Sequence, residues 1–89
     1  MRKTKPITLE SALEQLLNDL CVEVGFCVSA DKRRTISTRA RISANEFAVA
    51  VLEAEGLQPK YEKLWLRRIS ARFTERFGRG VLHAAEFKA

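Results

Sequence analysis

A small all-α bundle is the fold class this sequence predicts: three main helices, a basic connector after the first, and room for a short helix at the C-terminus. Three observations carry that expectation. Leu9, Leu13, Leu16, Leu17, Leu20 and Val24 recur at three- and four-residue spacing, the period of a single apolar helix stripe. Ser43 and Glu46 stand as a capping-box pair just ahead of the apolar run Phe47 to Leu52, a local signature of a helix start. Tyr61, Trp65, Ile69, Phe73 and Phe77 follow one another at four-residue intervals, which gathers most of the aromatic mass on one helix face.

Each element follows from its own residues. The first helix is expected from Thr8 to Val24, with the Thr8 hydroxyl as N-cap acceptor and Gly25 as the left-handed residue that ends it and folds Phe26 back. The second begins at Ala44, stapled by Ile42 and Phe47. It ends at Gly56 in a Schellman turn that sets Leu57 against Leu52. Its run of alternating alanine and large apolar residues predicts a central position. The third is expected from Pro59, a favoured first helical residue, to the stop at Gly78 and Gly80. Val81 to Phe87 is the candidate closing helix.

The segment 26–42 is ambiguous. Ile36, Thr38, Ala40 and Ile42 alternate with Ser37, Arg39 and Arg41, a period of two, and Phe26 and Val28 alternate similarly. That pattern reads either as an irregular loop or helical turn, or as a small β-hairpin turning over Ala30 to Arg34, which would make the fold α+β. The turn lacks Asn-Gly or Asp-Gly chemistry.

The chain has 89 residues, 46% hydrophobic and 30% charged. That is one domain, residues 8–89, behind a basic tail over residues 1–7 that reads as flexible. A chain this short buries about 60–65% of the surface its unfolded form exposes, so the core is small. The longest apolar run, Phe47 to Leu52, is too short to span a bilayer, and no apolar stretch of a secretory signal follows the basic start. Cys21 and Cys27 match no zinc spacing and no Cys-x-x-Cys pair, and His83 is remote; they read as free, buried thiols in a reducing, cytoplasmic setting. No metal or cofactor is expected, and catalysis lacks a nucleophile with a base beside it.

Charge is sorted along the chain. Residues 9–31 hold five acids and no base, residues 32–45 five bases and no acid, residues 46–55 three acids alone, and residues 56–89 eight bases against three acids, within a formal net charge of +5. Such sorting builds basic surfaces that attract anionic partners. Lys32, Arg33, Arg34, Arg39 and Arg41, interleaved with Thr35, Ser37 and Thr38, have the composition of a phosphate-contacting segment. Lys63, Arg67, Arg68 and Arg72 extend that surface along the third helix. The long stems of Arg72 and Arg76 equally suit covering the margin of the core, and Glu75 is placed to pair with Arg68, Arg72 or Arg79.

The second and third helices, joined by Gly56-Leu57-Gln58-Pro59, resemble a helix-turn-helix unit, with Trp65 on the packing side of the later helix. Glu62 departs from the pattern, standing where an apolar residue is expected. The functional expectation is a non-enzymatic binding or regulatory module that engages nucleic-acid phosphates; nothing in the sequence argues for base-specific readout. The alternative is a protein–protein adaptor or homodimerising domain, with Trp65 or Phe73 as exposed anchors and the sorted charges choosing an acidic protein surface.

Overall fold

A computed structural model describes residues 8–87. In chain order these form α1 (Leu9–Val24), α2 (Ala30–Ser37), β1 (Arg41–Ile42), α3 (Ala44–Ala54), α4 (Lys63–Phe77) and β2 (Leu82–His83), followed by a 3₁₀ turn over Ala84–Glu86. The fold is helical, as expected. The tail over residues 1–7, and residues 88 and 89, lie outside the described residues. No helix among the described residues is long and apolar enough to cross a membrane.

The helix ends form where local chemistry dictates. Thr8 Oγ1 accepts from the Ser11 amide at 3.1 Å, and Ser11 Oγ returns the favour to the Thr8 amide at 3.1 Å. At α3 the Glu46 amide donates to Ser43 Oγ at 3.2 Å while the Ser43 amide donates to Glu46 Oε1 at 3.0 Å. Both are reciprocal caps that satisfy amides the first turn leaves unpaired. Gly56, at φ +77°, closes α3. Its amide donates to the Glu53 carbonyl at 3.0 Å and the Leu57 amide to the Leu52 carbonyl at 2.9 Å, the two bonds of a Schellman motif. Ile42 and Phe47 are both fully buried, as a hydrophobic staple across Ser43 requires.

Buried side chains from every helix form one cluster among the described residues. A chain of rings runs through it. Phe47 on α3 lies 5.4 Å from Phe73 on α4, Phe73 lies 4.9 Å from Phe77, and Phe77 lies 6.0 Å from Phe87 beyond the 3₁₀ turn. At the other end of α4, Phe26 meets Trp65 edge-on at 5.0 Å, which ties the end of α1 to the start of α4.

Four expectations are corrected. Segment 26–42 holds no hairpin of its own and is not an irregular loop; the helical-turn reading is the nearer one, extended to the eight-residue helix α2 and followed by β1. Its period of two misleads because Thr38 and Ala40 are exposed, while Ile36 and Ile42 reach the core from two different elements. Strand β1 pairs instead with β2 at the far end of the chain, Arg41 opposite His83 and Ile42 opposite Leu82, antiparallel. The residues 81–87 therefore supply a strand and a 3₁₀ turn rather than an α-helix. The third main helix starts at Lys63, not Pro59. Before it, the Tyr61 amide bonds the Gln58 carbonyl at 2.9 Å and the Glu62 amide the Pro59 carbonyl at 3.2 Å. These tight turns carry Tyr61 off the aromatic stripe.

The fourth correction concerns the cysteines. Cys21 and Cys27 are joined in a disulfide, with Cα atoms 4.2 Å apart. The left-handed turn at Gly25 (φ +82°) sends the chain back past the last turn of α1, so residues six apart become neighbours. Cys27 is exposed and Cys21 half-buried, unlike an inert core thiol. The expectation of a reducing compartment rested on free thiols and loses that footing. Closing so short a loop should contribute about 2 kcal/mol through the unfolded state. Replacing both cysteines with serine should therefore lower the urea midpoint of the oxidised protein by the corresponding amount. Two reactive thiols in the folded, oxidised protein, with an unchanged midpoint, would show that the bridge does not form.

Candidate anion-binding surface

The acids of α1 decide which cations remain available. Arg33 on α2 reaches Glu14, with Nη2 3.1 Å from Oε1, and it also donates to the Glu14 carbonyl at 3.4 Å. The other oxygen of Glu14 accepts from the hydroxyl of Ser37 at 3.0 Å, which explains a serine buried in the wall of the core. On α4, Arg72 pairs with Glu23 and Arg76 with Asp19. Asp19 and Glu23 are one turn apart, as are Arg72 and Arg76, so the two rows mate in antiparallel sense. Glu75, expected to pair with Arg68, Arg72 or Arg79, is in no ion pair among the described residues. The arginine stems do line the α1–α4 seam, but the guanidinium groups end on carboxylates rather than in open water.

These pairs are a third to a half exposed, so each adds well under about 1 kcal/mol to stability. Their larger effect is on the field. Three acids of α1 and three arginines cancel locally, and the cations elsewhere are left to set the surface potential.

Of the nine predicted contact residues, Arg33 and Arg72 are tied up in this way. Lys32 donates from Nζ to the Ala54 carbonyl at 3.2 Å, a cation at the negative end of α3. The other six, Arg34, Arg39, Arg41, Lys63, Arg67 and Arg68, have no ion-pair partner among the described residues. Five of them fall into two groups. Lys63, Arg67 and Arg68 are exposed on the leading half of α4, with the Arg68 guanidinium 5.3 Å from the centre of the Trp65 ring. Arg39 and Arg41 sit at the β1–β2 ribbon, which the chain reaches four residues after the end of α4. Arg34 stands apart from both, sharing a depression of about 400 Å³ with Glu10, Glu14 and Arg33. The structure thus places cations near both ends of α4 rather than in one continuous connector patch.

Sequence reasoning missed the environment of Tyr61 and Leu64. They are 72% and 54% exposed, and the Lys60 ammonium lies 5.0 Å from the Tyr61 ring centre. The signal was present in Pro59-Lys60, a turn that delays the helix. Phe73, an anchor for a partner only if left exposed, is fully buried, and Trp65 is half-buried beneath Arg68. A groove of about 330 Å³ between α1 and α4 is lined by Leu20, Val24, Trp65 and Ile69 with the stems of Arg68 and Arg72. Among the described residues no group of three or more His, Cys, Asp or Glu side chains could hold a metal ion.

No family model, no curated protein and no solved structure matches this chain.

Proposed function

We propose that this protein is a non-enzymatic binding module that engages the phosphates of nucleic acid through the cations α1 leaves unpaired. Lys63, Arg67 and Arg68 provide the centre of that surface, and Arg39 and Arg41 on the ribbon provide its flank, with Arg34 beside them in sequence. The observation that carries this reading is the sorting by ion pairs. Arg33, Arg72 and Arg76 are neutralised against Glu14, Glu23 and Asp19, whereas these six have no ion-pair partner among the described residues. Arginine and lysine held without a carboxylate partner are available to displace counterions from a phosphate backbone, the main source of affinity for nucleic acid. Lys32, Arg33 and Arg72 belong to the scaffold in this reading, since each would have to give up an internal partner to reach a phosphate.

The test is a titration of the full chain with labelled duplex and single-stranded oligonucleotides between about 50 and 200 mM salt. Binding should weaken steeply, with a log–log slope of about −5 on duplex DNA if all six side chains touch phosphate. No retention of either oligonucleotide at low salt, together with elution as a dimer, would overturn the proposal in favour of an adaptor or homodimerising domain.

A further inference from the structure

The nucleic-acid reading accounts for the cations but not for the two most exposed apolar side chains beside them, Tyr61 and Leu64. Resting on that reading, we infer that the leading half of α4 is a reading head for the major groove of duplex DNA, with Arg67 and Lys63 addressing guanine edges and Leu64 and Tyr61 addressing thymine methyl groups.

The face is defined by helix periodicity. Ile69 and Phe73 are buried against the core, and Trp65 and Leu66 flank them. Leu64, Arg67 and Ala71, at spacings of three and four, are exposed on the opposite side, with Lys63 adjoining. Ala71 adds no bulk at the trailing end of this strip, where it also borders the α1–α4 groove. Over residues 60–71 the segment carries Lys60, Lys63, Arg67 and Arg68 against Glu62 alone. Glu75, the acid of α4 itself, lies in its trailing turns. The charge therefore favours an anionic partner at the leading end.

Dimensions and ring exposure select among anionic polymers. A helix of 15 residues is about 22 Å long and about 10–12 Å across, which fits the roughly 12 Å major groove of B-form DNA. The major groove of duplex RNA is too narrow to admit it. Single strands are held by stacking bases on open aromatic faces. Among the described residues Tyr61 is the one exposed aromatic ring, whereas Trp65 packs perpendicular to Phe26 and lies beneath Arg68. The contact chemistry matches the groove as well: a guanidinium fork pairs with guanine O6 and N7, and apolar groups meet the thymine methyl. The connection over residues 55–62 is longer than a minimal helix-turn-helix turn, and the extra residues carry Lys60 and Tyr61 ahead of the helix. The ribbon that pairs Arg41 with His83 follows the other end of α4 in the chain, and phosphate contacts from it would fix register without reading sequence.

The experiment uses the full chain and an Arg67→Lys variant, an exposed substitution that keeps the charge and the fold but removes the two-pronged fork. Enrichment from a randomised DNA duplex library should yield a preferred sequence for the wild-type protein. The ratio of its affinity for that sequence to its affinity for a scrambled duplex should drop about tenfold or more in the variant. Failure to enrich any sequence, or an unchanged preference in Arg67→Lys, overturns the reading head while leaving phosphate binding standing. A preference for single strands or duplex RNA likewise overturns it. Absence of binding to every nucleic acid would remove both proposals together.

Discussion

Replacing Phe73 with alanine should cost about 3–5 kcal/mol of unfolding free energy. Phe73 is fully buried, and its ring touches both Phe47 across the α3–α4 interface and Phe77 one turn along. Truncation removes the transfer free energy of the ring, leaves a cavity that α3 and α4 can only partly close, and deletes two edge or tilted ring contacts of about 0.5–1.5 kcal/mol each. A domain of this length holds about 5–13 kcal/mol in total, so the variant should stand near the margin of folding. The change is read from the urea midpoint. Arg72→Ala on the same helix is the control. It breaks only the partly exposed pair with Glu23 and should shift stability by less than about 1 kcal/mol. Equal losses in the two variants would mean that α4 is held by its ion pairs rather than by its rings.

The parts of this fold that could be read from the chain are those fixed within a turn or two of themselves. Thr8, the Ser43–Glu46 box and the Gly56–Leu57 turn bond to residues three to five positions away, so composition and spacing determine them. The Cys21–Cys27 bridge is also local, but it depends on the left-handed turn at Gly25 bringing two exposed or half-exposed residues together, and apolar spacing carries no trace of that. The β1–β2 ribbon joins Ile42 to Leu82, a pairing across forty residues that no window of sequence contains. Helix α2 was obscured because only Ile36 and Ser37 along it are buried, too few to set up a stripe.

The same division holds for the surface. Which residues are cationic is plain from the chain, and so is the acidic character of α1. What local pattern could not supply is that Glu23 and Asp19 meet arginines 49 and 57 positions away, which separates the scaffold cations from those with no ion-pair partner among the described residues. The four-residue interval to Trp65 places Tyr61 on the aromatic stripe by sequence alone. The turn at Gln58–Glu62 breaks that register before the helix begins.

The division into paired and unpaired cations yields the second large effect. Lys63→Ala combined with Arg67→Ala removes two side chains that have no carboxylate partner among the described residues. Arg72→Ala combined with Arg76→Ala removes two that are bound to α1. Both double variants lower the net charge by the same amount, so any difference between them reflects position rather than total charge. The direct measurement is the salt dependence of duplex DNA binding for wild type and both variants. The expected result is a slope smaller by about two for the Lys63 and Arg67 pair and unchanged for the Arg72 and Arg76 pair. Equal slopes in the two variants, or a loss confined to Arg72 and Arg76, would contradict the assignment of the binding surface to the cations that α1 leaves unpaired.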